Sequence, residues 1–288
     1  MKRQMNPRLK MILSMTMFGT ISLFVRMIPV SSGELAFDRA ALAALLTGGV
    51  LLMTRKRTSF SEIRRELPLL LASGAAMGIN WILLFQAYRY TTVSLATLSY
   101  YFAPVIVTAV CPFLFKEKLA RKQILCFAMS CLGLVLITGV ARRAGETDTV
   151  GILYGLGAAV FYAAVMLLNK TIKNVEGIQR TFYQFAAAVA VLFPYVMMTG
   201  GMTLGSLDSV GWINLLVVGL IHTGVTYCLY LSAMKELPGQ ETAILCYIDP
   251  LVAVLISVTV LGESMTLPQV IGGVLILGFT LWNELGKS

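Results

Sequence analysis

Ionisable residues inside long apolar runs are where this sequence could do chemistry, and few exist. Asp249 stands directly before Pro250, well inside an apolar stretch. Arg39 lies five residues beyond Glu34, about 7 Å into its own run at 1.5 Å per residue. His222, the single histidine, sits deep in a third run. A charge in such a setting is costly and marks a functional position by default. Arg39 has three open roles: reaching back to the surface, pairing with Asp38, or binding an anionic group of a solute. Asp249 either carries chemistry or caps a half-helix that restarts after Pro250. His222 titrates near neutrality when unperturbed, so it is either a proton carrier or a neutral hydrogen-bonded packing group. His222 and Asp249 fall at similar depths on adjacent runs, so a proton-exchanging pair is expected. Trp81, Tyr101 and Tyr247 complete the cavity candidates, offering aromatic walls to a flat or amphipathic solute.

Other chemistry is missing. The five cysteines all lie in apolar runs with neither metal-ligand nor disulfide spacing, so no metal and no cofactor are expected. The tail Gly286-Lys287-Ser288 echoes a phosphate loop, but no helix follows it. No catalytic serine or zinc motif appears, which makes an intramembrane enzyme the most distant alternative. Glu117 and Glu263 stand at run ends and are expected to order turns.

The elements that must position these residues are membrane helices. Hydrophobic residues make up 57% of the 288 positions and charged residues 13%, more apolar content than a soluble domain can hide. Ten runs approach the 20 residues that span a bilayer. They are 9–28, 34–53, 67–88, 91–115, 123–140, 150–169, 178–199, 209–234, 242–262 and 266–282. The first follows Lys2, Arg3, Arg8 and Lys10 as a signal peptide would, but no small-x-small cleavage site follows, so it is taken as a helix. The net charge of +9 does not indicate nucleic acid, because the basic residues form short clusters between runs. Alternate loops hold 18 of the 23 Lys and Arg, which places both termini in the cytoplasm and Arg142 and Arg143 outside. Arg26, at the very end of its run, is expected to snorkel.

The two halves repeat. At a shift of 146 residues, Leu83, Ala87, Tyr101, Pro104, Glu117 and Gln123 meet Leu229, Ala233, Tyr247, Pro250, Glu263 and Gln269. Residues 1–145 and 146–288 would each hold five spans, and an odd number inverts the second copy. Inverted repeats with helices broken near the midplane are a recurrent transporter design. Pro104 and Pro250 are the expected helix breaks. The fold class expected is therefore an all-α membrane protein of ten transmembrane helices in two inverted five-helix repeats.

Tyr101-Phe102-Ala103-Pro104 followed by Phe115-Lys116-Glu117-Lys118-Leu119, and Tyr247-Ile248-Asp249-Pro250 followed by Leu261-Gly262-Glu263-Ser264, carry a resemblance to the drug/metabolite transporter superfamily, EamA type. Gln123, Gln269, Arg39 and Gln184 fit the same pattern across nearly the whole chain. The resemblance implies transport of amino acids, nucleobase-like metabolites or drugs, often outward. The small multidrug-resistance relatives use a glutamate in the first span, and residues 11–25 contain none, so that proton mechanism does not carry over. The expected function is secondary transport of a small metabolite across the cytoplasmic membrane by alternating access, with the third, fourth, eighth and ninth helices walling the site. A receptor or scaffold without transport is the alternative. The expected partners are the solute and the lipid bilayer, with Gly74-x-x-x-Gly78 and Gly151-x-x-x-Gly155 serving either internal contacts or a homodimer.

Overall fold

The computed structural model describes residues 5–54, 60–115, 120–144, 146–175, 177–237, 242 and 245–285. Glu117, Lys118 and the Gly286-Lys287-Ser288 tail lie outside these residues, as do the side chains of Cys111, Arg142 and Arg143. The described chain is helical. Its helices are α1 (Pro7–Val25), α2 (Ser32–Thr54), α3 (Phe60–Tyr90), α4 (Val93–Tyr100), α5 (Ala103–Phe115), α6 (Arg121–Ala144), α7 (Glu146–Thr171) and α8 (Gly177–Thr199). α9 (Ser209–Leu216) runs through a π-helical segment (Val217–Val225) into α10 (Thr226–Glu236), and α11 (Ile248–Thr259) and α12 (Leu267–Glu284) follow. Among the described residues seven stretches are long and apolar enough to cross a membrane, and the apolar helices Ile248–Thr259 and Leu267–Asn283 are shorter.

Local sequence explains where these helices begin. Asn6 caps α1 by accepting from Arg8 N at 2.9 Å, with Pro7 at the first position where its missing N–H costs nothing. Thr92 caps α4 and Asp208 caps α9. Gln123 and Gln269 do identical work: each accepts a backbone N–H three residues earlier, from Ala120 and from Thr266, both at 2.8 Å.

Two interruptions refine the expected spans. The 91–115 run is broken at Tyr101 and Phe102, where α4 ends and α5 begins. Pro104 sits in the first turn of α5, so it does not kink a continuous helix at its own position; its ring restricts the residues before it. Pro250 stands likewise in the first turn of α11. Tyr101 and Tyr247, which precede these helices, share a backbone conformation, with φ −72° and ψ 6° against φ −73° and ψ −8°.

Many large apolar side chains point outward, among them Phe113 and Met198, which are 84% and 86% exposed. Such a surface suits lipid rather than water. Inside, small residues let backbones approach. A Cβ on Gly74 would meet the Gln184 carbonyl oxygen of α8 at 2.3 Å, and Gly133 and Gly272 press against each other's carbonyls across the contact of α6 with α12. Gly78 faces Leu192 of α8, while Gly151 and Gly155 face Thr91 and Ser99. Both small-residue motifs thus serve contacts within the chain.

Polar contacts tie the loops at each end. At one end Arg26 pairs with Glu263 at 2.6 Å, Thr91 donates to Asp148, Arg89 to the Val30 carbonyl, and Thr203 to Glu34 through its N–H and hydroxyl. Arg26 is therefore an ion-pair partner rather than a free snorkelling side chain. Glu263 also accepts from Val93 N at 2.8 Å and from the Ser257 hydroxyl, fixing the start of α4. At the other end Lys10 pairs with Glu236, and Glu66 accepts the N–H groups of Lys173, Asn174 and Val175, ordering the turn from α7 to α8.

Candidate functional site

α2 carries Arg39 inward. Its residue is 4% exposed, so it does not reach back to the surface. The guanidinium carbon lies 4.2 Å from the centroid of the Trp81 ring and 5.3 Å from that of Phe85, both on α3. Nε donates to the Thr223 hydroxyl at 2.9 Å. No described carboxylate stands within ion-pair distance of Arg39, Asp38 included, and its two terminal nitrogens hydrogen-bond to no described residue. A cation stacked on aromatic faces and held at one edge presents its remaining donors in a planar fork. That fork matches a carboxylate or another planar anion.

The π segment explains how Thr223 reaches Arg39. Its wider turn leaves the Val218 carbonyl to the Thr223 hydroxyl, which donates to it at 2.8 Å while accepting from Arg39. Thr226 bonds the Ile221 carbonyl in the same register. Gly219 and Gly224 bring the segment onto Leu42 and Leu46 of α2. π segments of this kind frequently accompany functional sites. The sequence reading missed both Thr223 and the π segment. The signals available were Gly219 and Gly224 and the two hydroxyl residues interleaved with them, Thr223 and Thr226.

Asp249 lies in the first turn of α11, where its negative charge suits the helix N-terminus. Tyr101 donates to its Oδ2 at 2.5 Å, so two predicted residues meet at the break between α4 and α5. Gly19 of α1 sits directly against the Asp249 carbonyl. Tyr88, Tyr100 and Tyr227 lie close enough to both Asp249 and Arg39 to feel both charges. Ring contacts join these positions. Trp81 meets Phe185 at 5.9 Å, Phe185 meets Tyr227 at 5.4 Å, Tyr227 meets Phe18 at 5.2 Å, and Tyr100 stacks on Tyr162 at 5.0 Å. One aromatic region with a cation and an acid on its borders results. Its walls come from α1, α2, α7 and α8 as well as from the third, fourth, eighth and ninth spans expected.

His222 has other direct partners. Its Nε2 is 2.9 Å from the Thr20 hydroxyl, its Nδ1 is 3.3 Å from the Val217 carbonyl, and Phe24 covers it at 4.7 Å. Asp249 and His222 thus have separate partners, and the expected pair does not form in this structure. Equal depth along two neighbouring helices fixes height, not azimuth, and the π segment turns His222 towards α1. Tyr247 is buried at the turn before α11, close to Tyr162.

The sequence profile of the EamA-like transporter family matches residues 8–139 and again 149–283. A Bacillus subtilis protein named "Uncharacterized transporter YxxF" is 30% identical over all of this chain and 93% of its own length. An Archaeoglobus fulgidus protein named "Uncharacterized transporter" is 30% identical over 95% of each chain. A Salmonella typhimurium protein named "Probable amino-acid metabolite efflux pump" is 23% identical over 84% of this chain and 85% of its own. A solved crystal structure, 16% identical, superposes with a TM-score of 0.66 over 98% of this chain and 99% of that chain, a likeness of fold.

Proposed function

The chain belongs to the EamA-like transporter family, and we propose that it is a secondary transporter that carries a small amino-acid-like solute across the cytoplasmic membrane by alternating access. The observation that carries this reading is the guanidinium of Arg39: buried, stacked on Trp81, and without an acidic partner among the described residues. Keeping a cation in that setting is costly unless an anion visits it. The solute's anionic group would take the terminal nitrogens of Arg39, its cationic group would approach Asp249, and its apolar part would lie among Tyr88, Tyr100 and Tyr227.

Ten spans in two inverted five-helix repeats, 1–145 and 146–288, are part of the proposal. The matched caps at Gln123 and Gln269 and the matched backbone at Tyr101 and Tyr247 support it. So does the packing: α3 lies on α7 as α10 lies on α1, α5 on α7 as α11 on α1, and α3 on α8 as the π segment on α2. Each pair becomes the other when the halves are exchanged. Two equivalent halves can rock between mirror-related states, each open to one side. Both termini are placed in the cytoplasm on the distribution of Lys and Arg. The name of the Salmonella relative supports outward movement and an amino-acid-like solute.

The test is efflux from proteoliposomes preloaded in turn with radiolabelled aromatic, branched and small amino acids. Protein-dependent, saturable efflux of at least one of them is expected. A flux no different from protein-free vesicles across the set would overturn the amino-acid reading.

A further inference from the structure

Asp38 stands beside Arg39 in sequence yet takes no part in the site. Its residue is 6% exposed, and its Oδ2 is fully enclosed with no hydrogen-bond partner among the described residues. Glu34, one turn earlier on α2, is fully buried too, but the N–H and hydroxyl of Thr203 satisfy it. The elements packed on α2 are α3, α8, α9 and the π segment. Their titratable groups are engaged or out of reach. Arg89 of α3 donates to the Val30 carbonyl, Arg180 of α8 to the carbonyls of Val175 and Ile172, and His222 meets Thr20. Asp208, ahead of α9, caps Gly211, and neither Tyr88, Tyr183 nor Tyr195 hydrogen-bonds to the enclosed Oδ2 of Asp38. Glu34, one turn earlier on the same helix, is a charge of like sign that acts on it.

An ionised carboxylate there would lack both the donors and the cation that make burial tolerable, and would repel its neighbour. A proton taken from water onto a carboxylate oxygen removes both costs. We propose that Asp38 is a proton-binding site, occupied while the end of the molecule joined by Glu34–Thr203 and Arg26–Glu263 is closed, and released to water when that end opens. The inference rests on the alternating-access reading for its opening step. It supplies an ion-coupling site that is separate from Asp249.

Infrared spectroscopy of the reconstituted full chain tests it without any solute, so it can fail while transport stands. Wild type should show the carbonyl band of a protonated carboxylic acid at neutral pH. The band should persist in Asp249→Asn, disappear in Asp38→Asn, and move to a new position in Asp38→Glu, which serves should the asparagine variant not reconstitute. Transfer to D2O should shift the band only as fast as the end opens, so Arg26→Gln should speed the shift several-fold. No such band in wild type, or a band unchanged in Asp38→Asn or Asp38→Glu, would overturn the site. A signal that responds to sodium at constant pH would replace the proton by a metal cation. An unchanged exchange rate in Arg26→Gln would overturn release on opening.

Discussion

At the scale of single residues, Arg39 and Thr223 form the unit on which binding depends. Thr223 fixes the guanidinium because its hydroxyl is held from both sides, donating to Val218 and accepting from Arg39. Thr223→Ser should therefore preserve the apparent affinity for the solute, and Thr223→Val should weaken it roughly tenfold, the range of one hydrogen bond to a charged group. Equal behaviour of the two variants would reduce Thr223 to a packing residue. Tyr101 and Asp249 form a second unit. In a double-mutant cycle of transport rate, Tyr101→Phe and Asp249→Asn should be non-additive, because each disables the same hydrogen bond. His222→Gln and Asp249→Asn should instead be additive, since their partners are separate. Arg39, Trp81, Tyr101 and Asp249 could be singled out in the sequence by an intramembrane charge, depth in a span, or a repeated position. Their partners could not, because contact across helices depends on azimuth, which spacing alone leaves open.

At the scale of elements, the apolar runs and the two prolines announce where helices lie but not how they are interrupted. Nine residues of π-helix carry no periodicity distinct from an α-helix, so Val217–Val225 was invisible until its i−5 hydroxyl bonds appeared. The caps were more legible. Gln123 and Gln269 were matched in sequence, and the structure gives them the same bond. Gln123→Ala and Gln269→Ala should each lower thermal stability by a similar amount, about 1 kcal/mol as for other helix caps; effects that differ several-fold would count against equivalent halves. The contact of α3 with α8 is less forgiving. Gly74→Val would drive a side chain into the Gln184 carbonyl, so it should cost at least the ~1–3 kcal/mol of core overpacking. A melting temperature equal to that of wild type in detergent would show that these helices are farther apart than described.

At the scale of the whole molecule, the charge distribution and the repeat make one statement about topology. Cysteines introduced at position 146 in a cysteine-free background should react with an impermeant reagent from outside, and cysteines at position 5 only after permeabilisation. The reverse pattern would invert the molecule in the membrane. Membrane character could be read without coordinates, because lipid imposes composition on every span. The way the halves interlock could not, since it follows from glycine contacts and loop tethers between residues far apart in sequence. That interlocking puts one cation and one acid on the borders of a shared aromatic region, and so leads to the most direct test. Efflux of an amino acid that the wild type carries should be compared with efflux of the amine lacking its carboxylate, in wild type and in Arg39→Gln at equal reconstituted protein. Arg39 predicts that wild type prefers the amino acid by roughly tenfold or more and that Arg39→Gln loses the preference while remaining folded. An undiminished preference in Arg39→Gln would contradict the account.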